Sequence, residues 1–236
     1  MKKLFIIKLG STFSDLAGET GDFEDWIYKG LGETAFEITI VDVEHGGSLP
    51  KIRDCAGVIL TGSHSMVTEN PTFADNMDIW LRKLAKYDVP VLGICFGHQL
   101  IAKAFGGDVH FRPQGIEIGT VEIIFEKEAE NDPLFAEVPP NKIYVHEAHS
   151  QSVTILPEGA VRLAINENDN NQAFRLGKCI WGVQFHPEYD SHVTKEYIRK
   201  VSADLKSDGR EVEDLLKSVR ETPEAFGILG KFSKLL

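Results

Sequence analysis

The chain has 236 residues, of which 26% are charged and 42% hydrophobic, ordinary proportions for a globular protein with a substantial core. Its net charge of −11 argues against a nucleic-acid partner, because phosphate binding relies on clustered lysine and arginine, and no apolar run is long enough to cross a bilayer. Three widely spaced cysteines form no disulfide framework and no metal-binding pair, so we expect a cytoplasmic protein.

The first part of the chain alternates between strand and helix patterns. Apolar runs predict strands, and apolar stripes at helical spacing predict helices. In chain order we expect a strand at 4–9, a helix at 22–31, strands at 36–43 and 57–60, a helix at 74–87 and a strand at 89–94. This alternation predicts an α/β fold with a mostly parallel central sheet flanked by helices, whose functional groups lie beyond the carboxyl ends of the strands.

Consecutive short strands follow, separated by turn residues, and we interpret them as a mixed or antiparallel extension of the same domain. They are predicted at 119–125, 142–146, 151–155, 161–166, 172–176 and 179–185, and helices are predicted at 193–205 and 212–219. The pattern therefore predicts a single domain over residues 1–236, with a core at about 3–206 and a helical C-terminal segment at 207–236.

The most informative segment of the chain surrounds Cys95, where an apolar run ends between Gly93 and Gly97 and a helical pattern begins at once. A strand, a tight turn and a helix would place the thiol at the apex, close to a helix N-terminus that favours a thiolate. The glycines allow the chain to bend and a substrate to approach. A buried, inert cysteine is the alternative, but it would not require flanking glycines. We interpret Cys95 as a nucleophile.

A second apolar run ends at His186, which could act as the base that a nucleophile requires. Glu188 follows two residues later, and residues i and i+2 of an extended chain point to the same side. Glu188 could therefore accept a hydrogen bond from the second imidazole nitrogen, as the acid of a catalytic triad does. A purely structural histidine is the alternative, and the cysteine turn favours catalysis over it.

The segments 93–99 and 185–188 together resemble the class I glutamine amidotransferase family, the type with a Cys-His-Glu triad. Segment 59–67 is similar to the family's oxyanion loop, and segment 147–153 is similar to its Ser-His-x-Asp-x-Val motif. The resemblance is strongest to free-standing relatives of the glutaminase domain of GMP synthase. Four blocks in the family's order make it specific.

This resemblance implies a flavodoxin-like fold and a γ-glutamyl thioester mechanism without a cofactor. We also expect no metal site, because the closely spaced histidines His146 and His149 do not share a face of a strand. By resemblance, the catalytic residues are Cys95, His186 and Glu188, the oxyanion hole is formed by the backbone N–H groups of Gly62 and Phe96, and the substrate-binding residues are Gln99, His149 and Ser150.

Some positions depart from the family pattern. Thr61 and Ser63 replace a glycine and a proline of the oxyanion loop, and Gln151 stands where relatives carry an acid that recognises the substrate's α-amino group. Three hypotheses remain open. The chain is a glutaminase that passes ammonia to a separate ATP-dependent synthetase, such as one for GMP, or a stand-alone hydrolase of γ-glutamyl peptides or conjugates, or a non-catalytic binding module.

Overall fold

The alternating segments build a nine-stranded mixed sheet in the computed structural model, which describes residues 2–71, 74–136, 138 and 141–236. The strands are β1 (Lys3–Lys8), β2 (Ile38–Asp42), β3 (Cys55–Leu60), β4 (Val91–Ile94), β5 (Asp108–Phe111), β6 (Glu117–Phe125), β7 (Lys142–His149), β8 (Gln151–Ile155), β9 (Ala160–Ile165), β10 (Ala173–Leu176) and β11 (Ile180–Val183). The helices are α1 (Ser14–Thr20), α2 (Phe23–Leu31), α3 (Ala74–Lys86), α4 (Phe96–Ala104), α5 (Ser191–Lys200), α6 (Ser202–Ser207), α7 (Val212–Ser218) and α8 (Pro223–Lys234).

The sheet has the order β2-β1-β3-β4-β11-β10-β9-β6-β7. The strands from β2 to β11 in this order are parallel, whereas β10, β9, β6 and β7 pair in antiparallel fashion. The predicted α/β architecture, a mostly parallel sheet flanked by helices with an antiparallel extension, is therefore confirmed. Two strands differ from expectation: β5 was not predicted, and β8 lies outside the main sheet and pairs with β5.

Two helices differ from the individual helices that the sequence predicted. One lies where no helix was predicted, and the other lies in the segment 207–236, which was predicted to be helical, but beyond the helix predicted at 212–219. Helix α1 lies between the predicted strand at 4–9 and the predicted helix at 22–31, and it buries only Leu16, so it has no apolar stripe to recognise. Helix α8 begins at Pro223 and packs against α2 and β7, with Ile228, Leu229 and Phe232 fully buried. The C-terminal segment therefore contributes side chains to the hydrophobic core.

The pairing of β4 with β11 brings two distant parts of the sequence together. Val183 at the end of β11 is in register with Ile94 at the end of β4, and the backbone N–H of Cys95 donates to the Val183 carbonyl at 2.9 Å. Because the two strands are parallel, the residues that follow them emerge at the same edge of the sheet. Within the described residues, none of the helices combines the length and the hydropathy required to span a bilayer.

Candidate active site

The predicted strand–turn–helix around Cys95 is present, and the cysteine itself adopts a strained backbone conformation. Its φ of 50° and ψ of −101° lie in a region that residues with a side chain rarely adopt, at a cost of about 1–3 kcal/mol. Cys95 is also the N-cap residue of α4. Gly97 allows this helix to approach β3, because a Cβ atom there would lie 2.7 Å from the Leu60 carbonyl oxygen. The strain and the close packing fix the thiol at the apex of the turn.

His186 and Glu188 form a buried pair beside this turn. The Nδ1 atom of His186 donates to Glu188 Oε1 at 2.7 Å, and the two side chains are 2% and 0% exposed. The backbone N–H of His186 donates to the His146 carbonyl, which anchors the residue to β7. Burial opposes a charged ring, but the charges of Glu188 and Cys95 and hydrogen bonds to both raise the pKa of His186 to about 10. The imidazole is therefore protonated at neutral pH, and Nε2 is the nitrogen left to exchange a proton with Cys95.

An aromatic stack holds the imidazole of His186 in place. The ring of Tyr189 lies parallel to it, with centroids 4.0 Å apart and an interplanar angle of 16°. Phe23 adds a third nearly parallel ring at 6.1 Å from His186. Tyr189 is only 2% exposed, so this stacking takes place in a dry environment. Sequence reasoning missed both rings, although Tyr189 directly follows the predicted triad acid.

Of the two residues expected to form the oxyanion hole, Gly62 lies beside the His186 ring and Phe96 directly follows Cys95. Gly62 directly follows β3, and a Cβ atom on it would lie 3.0 Å from His186 Cε1. Phe96 is the first residue of α4. The Thr61 hydroxyl accepts a hydrogen bond from the Leu9 N–H at 3.0 Å and donates to the Gly62 carbonyl at 2.8 Å. The threonine that departs from the family pattern therefore ties the loop to β1.

A cleft of about 190 Å³ opens next to Cys95. Gln99 is held in it by its own amide, whose Nε2 donates to the Gln151 carbonyl at 2.8 Å and to Gln184 Oε1 at 3.0 Å. Since a backbone carbonyl can only accept, these bonds fix the orientation of the Gln99 amide. The cleft brings together five of the residues that the sequence indicated: Cys95, Phe96, Gln99, His149 and Ser150.

His149 uses both ring nitrogens within the protein. Its Nδ1 lies 2.8 Å from the Gln151 carbonyl, and its Nε2 lies 3.2 Å from carboxylate oxygens of both Glu117 and Glu147. The Gln151 carbonyl and the Glu117 carboxylate both accept hydrogen bonds, so both nitrogens donate and the ring is an imidazolium that lies within ion-pair distance of Glu147. Burial opposes this charge, but the two carboxylates raise the pKa of His149 well above its ordinary value. Arg112 completes the network at 3.1 Å from Glu117.

This network fixes the cleft edge at residues 149–151. Because both ring nitrogens of His149 are occupied within the protein, only its backbone and the face of its ring could contact a substrate as predicted. Glu117 and Arg112 escaped sequence reasoning, because an acid at the start of a strand and an arginine in a loop ordinarily face solvent.

The described residues contain one group of side chains close enough to share a metal ion, Asp42, Glu44 and His45. None of these residues lines the cleft, and a hydrogen bond between His45 and Asp42 already explains their proximity. His146 and His149 are three residues apart in β7 and therefore face opposite sides of the strand, and His146 Nδ1 lies 3.2 Å from the Thr120 hydroxyl. Burial, together with the charge of the nearby His186, lowers the pKa of His146 to about 4.

Comparison with known proteins shows the family through the sequence and a shared fold through the solved structures. The family model for glutamine amidotransferase class-I matches residues 19–204. A glutamine-hydrolysing GMP synthase subunit from Archaeoglobus fulgidus is 34% identical over 181 residues, 76% of this chain and 91% of that protein. Gamma-glutamyl peptidase 3 of Arabidopsis thaliana is 33% identical over 234 residues, 97% of this chain and 93% of that protein. A glutamine amidotransferase crystal structure from Thermotoga maritima shares the fold with a TM-score of 0.76 at 23% identity, covering 100% of this chain and 98% of that one.

Proposed function

The chain belongs to the class I glutamine amidotransferase family, and we propose that it hydrolyses a γ-glutamyl amide with Cys95, His186 and Glu188 as its catalytic triad. One observation carries this proposal. Cys95 is strained at the junction of β4 and α4, and it interacts with a buried histidine whose other nitrogen donates to Glu188 at 2.7 Å. An inert cysteine would require neither the strain nor the buried pair.

The reaction proceeds in two halves. The Cys95 thiolate attacks the γ-carbonyl carbon of the substrate, and a C–S bond forms. Protonated His186 gives its Nε2 proton to the departing nitrogen as the C–N bond breaks, which leaves a γ-glutamyl thioester. Water then adds to the thioester carbonyl and gives a proton to His186, and the C–S bond breaks to release glutamate. Glu188 keeps the imidazole in one orientation throughout and stabilises its charge.

Backbone groups would stabilise the oxyanion in both halves. The two donors are the N–H groups of Gly62 and Phe96, which the folding of β3 and α4 brings next to Cys95 and His186. Losing one such donor costs about 10²–10³ in rate. Gln99 and Ser150, together with the backbone of His149, would bind the glutamyl group.

The fate of the released nitrogen separates two candidate functions. Ammonia from glutamine would pass to a separate ATP-dependent synthetase, such as one for GMP, as the relative from Archaeoglobus fulgidus suggests by its name. A stand-alone hydrolase of γ-glutamyl peptides or conjugates would need no partner. The similarity to gamma-glutamyl peptidase 3, which extends over 97% of this chain, supports this second candidate. We place either activity in the cytoplasm, where a reducing environment would keep the Cys95 thiol free.

The test is glutamate release by the purified chain from glutamine and from a panel of γ-glutamyl peptides. Cys95→Ser should abolish release, whereas Cys179→Ser, a matched change at a half-buried cysteine outside the cleft, should leave it intact. Turnover of a peptide by the chain alone would support the stand-alone hydrolase. Fast alkylation of Cys95 by a glutamine-like electrophile without turnover would support a missing synthetase. No turnover together with an unreactive Cys95 would refute the catalytic proposal.

A further inference from the structure

The cleft next to Cys95 has two walls of different chemistry. The polar wall is formed by Gln99, Ser150 and Gln151, whose amides, hydroxyl and backbone groups can hydrogen-bond to a glutamyl group. The second wall, which we call the apolar wall, has side chains that all pack on the hydrophobic cluster beneath α5. Its members are Phe13, Ile116, Tyr197 and Val201.

The apolar wall is connected to His186 by a series of aromatic rings. Tyr189, which stacks on His186, has its ring centroid 5.1 Å from that of Tyr197. The Tyr197 ring in turn lies 5.2 Å from the ring of Phe13. A continuous series of rings therefore leads from the triad histidine to the apolar wall.

The hydroxyl group of Tyr197 does not make this wall polar. It hydrogen-bonds to the Thr12 hydroxyl at 2.7 Å and lies 3.0 Å from His64 Nε2. Both contacts are within the protein, so Tyr197 presents the carbon face of its ring to a ligand. In addition, none of the described residues that line the cleft is an aspartate, glutamate, lysine or arginine. His64, the ionisable side chain beside Tyr197, has its pKa lowered by burial and by the charge of His186, so a charged group on this side would lack a charged partner.

The position of His186 decides which part of a substrate meets the apolar wall. A general acid must lie within hydrogen-bond reach of the atom that it protonates, so the departing nitrogen lies on the His186 side. Ammonia carries no substituent that could use an apolar surface. A substituted amine would place its substituent against Phe13 and Val201.

We infer that the preferred substrates are γ-glutamyl amides whose leaving amine bears an uncharged apolar or aromatic substituent. This inference rests on the proposed hydrolysis of γ-glutamyl amides. The glutamyl group binds the polar wall, and the substituent packs against the apolar wall. Glutamine fills only the first of these two subsites. Hydrolysis of the larger substrates releases glutamate and the free amine, with the same bonds formed and broken as above.

The test compares γ-glutamyl ethylamide with γ-glutamyl phenethylamide, which differ in apolar bulk and release amines of similar basicity. Burying part of an aromatic ring is worth about tenfold or more, so kcat/KM for the phenethylamide should be at least about tenfold higher. Phe13→Ala and Val201→Thr, the second of which preserves side-chain shape, should each reduce this ratio by about threefold to tenfold. The control is Tyr87→Ala, which removes a 65% exposed aromatic ring outside the cleft and should leave the ratio unchanged.

A second measurement tests the same preference if the chain binds these amides but does not hydrolyse them. The phenethylamide should protect Cys95 from alkylation at about tenfold lower concentration than the ethylamide does. Equal use and equal protection by the two amides, with hydrolysis still dependent on Cys95, would refute the inference and leave the proposed function standing. A preference that both variants keep would also refute it. Hydrolysis or alkylation that does not depend on Cys95 would refute the proposed function itself.

Discussion

Replacing Tyr189 with leucine tests whether the stacked ring sustains the charge on His186. The two rings lie 4.0 Å apart at 16°, and Tyr189 is 2% exposed, so the imidazolium faces an aromatic surface without competing water. A desolvated cation–π contact is worth about 2 kcal/mol and an aromatic pair about 0.5–1.5 kcal/mol. Because about 1.4 kcal/mol corresponds to one pH unit, the pKa of His186 should fall by about one pH unit from its value of about 10.

The sign of this shift follows from which form the ring stabilises. The aromatic face of Tyr189 favours the protonated imidazole. Without this ring, His186 should lose its proton at lower pH, and activity should decline at a lower alkaline pH than in the wild type. Nuclear magnetic resonance of ¹⁵N-labelled histidine would follow the titration of His186 directly, beside the pH profile of kcat/KM. Thermal unfolding would report separately on packing, where a change in buried shape costs about 1–3 kcal/mol.

Tyr189→Phe is the matched control for this experiment, because it keeps the ring and removes only the hydroxyl group. Its histidine titration should match that of the wild type. The reasoning is refuted if the leucine variant titrates like the wild type, or if the phenylalanine variant shifts as far as the leucine variant.

Three further predictions concern the triad, the buried ionic network and the turn. Glu188→Gln removes the charge that stabilises the His186 imidazolium and lowers its pKa, so kcat/KM should fall by about 10²–10⁴, and because the pair is buried the free energy of unfolding should also fall by about 3 kcal/mol; unchanged kinetics would contradict the proposed triad. Glu117→Gln leaves the His149 imidazolium with one carboxylate, and urea unfolding should show a loss of about 3 kcal/mol in the free energy of unfolding, whereas an unchanged midpoint would show that the network is dispensable. Gly97→Ala places a Cβ atom 2.7 Å from a carbonyl oxygen of β3 and should destabilise the chain by about 1–3 kcal/mol and slow Cys95 alkylation. Gly227→Ala, where nothing lies within 4 Å of an added Cβ atom, is its control and should change neither property for the worse.

The parallel part of the fold could be predicted from the sequence because its signals are local. A short apolar run such as β3, buried on both faces, is typical of a central parallel strand. The pairing of β8 with β5 could not be predicted in the same way, since alternation identifies a strand but not its partner. Helix α8 was expected only as an undefined part of the helical segment at 207–236, because Gly227 and Gly230 interrupt its pattern and its stability depends on packing against α2 and β7.

In the candidate site too, residues in local motifs could be predicted from the sequence, whereas residues that act through tertiary contacts could not. Cys95, His186 and Glu188 lie in two contiguous motifs, and these motifs by themselves indicate the chemistry that we propose for them. The ring of Tyr189 and the carboxylate of Glu117 act through contacts that only the folded chain creates, so no spacing in the sequence identifies them. The motif that contains His149 indicated that this residue lies at the cleft. Its charge could not be predicted, because it depends on Glu117, which the pairing of β6 with β7 places opposite His149.

The most direct test of the central claim is to trap the γ-glutamyl thioester on Cys95. The chain would be mixed with a γ-glutamyl amide, quenched in acid before the steady state, digested and measured by mass spectrometry. We predict a γ-glutamyl group on the peptide that contains Cys95, and neither this adduct nor glutamate release in Cys95→Ala. Undiminished glutamate release by Cys95→Ala, or an adduct on another residue, would contradict the account.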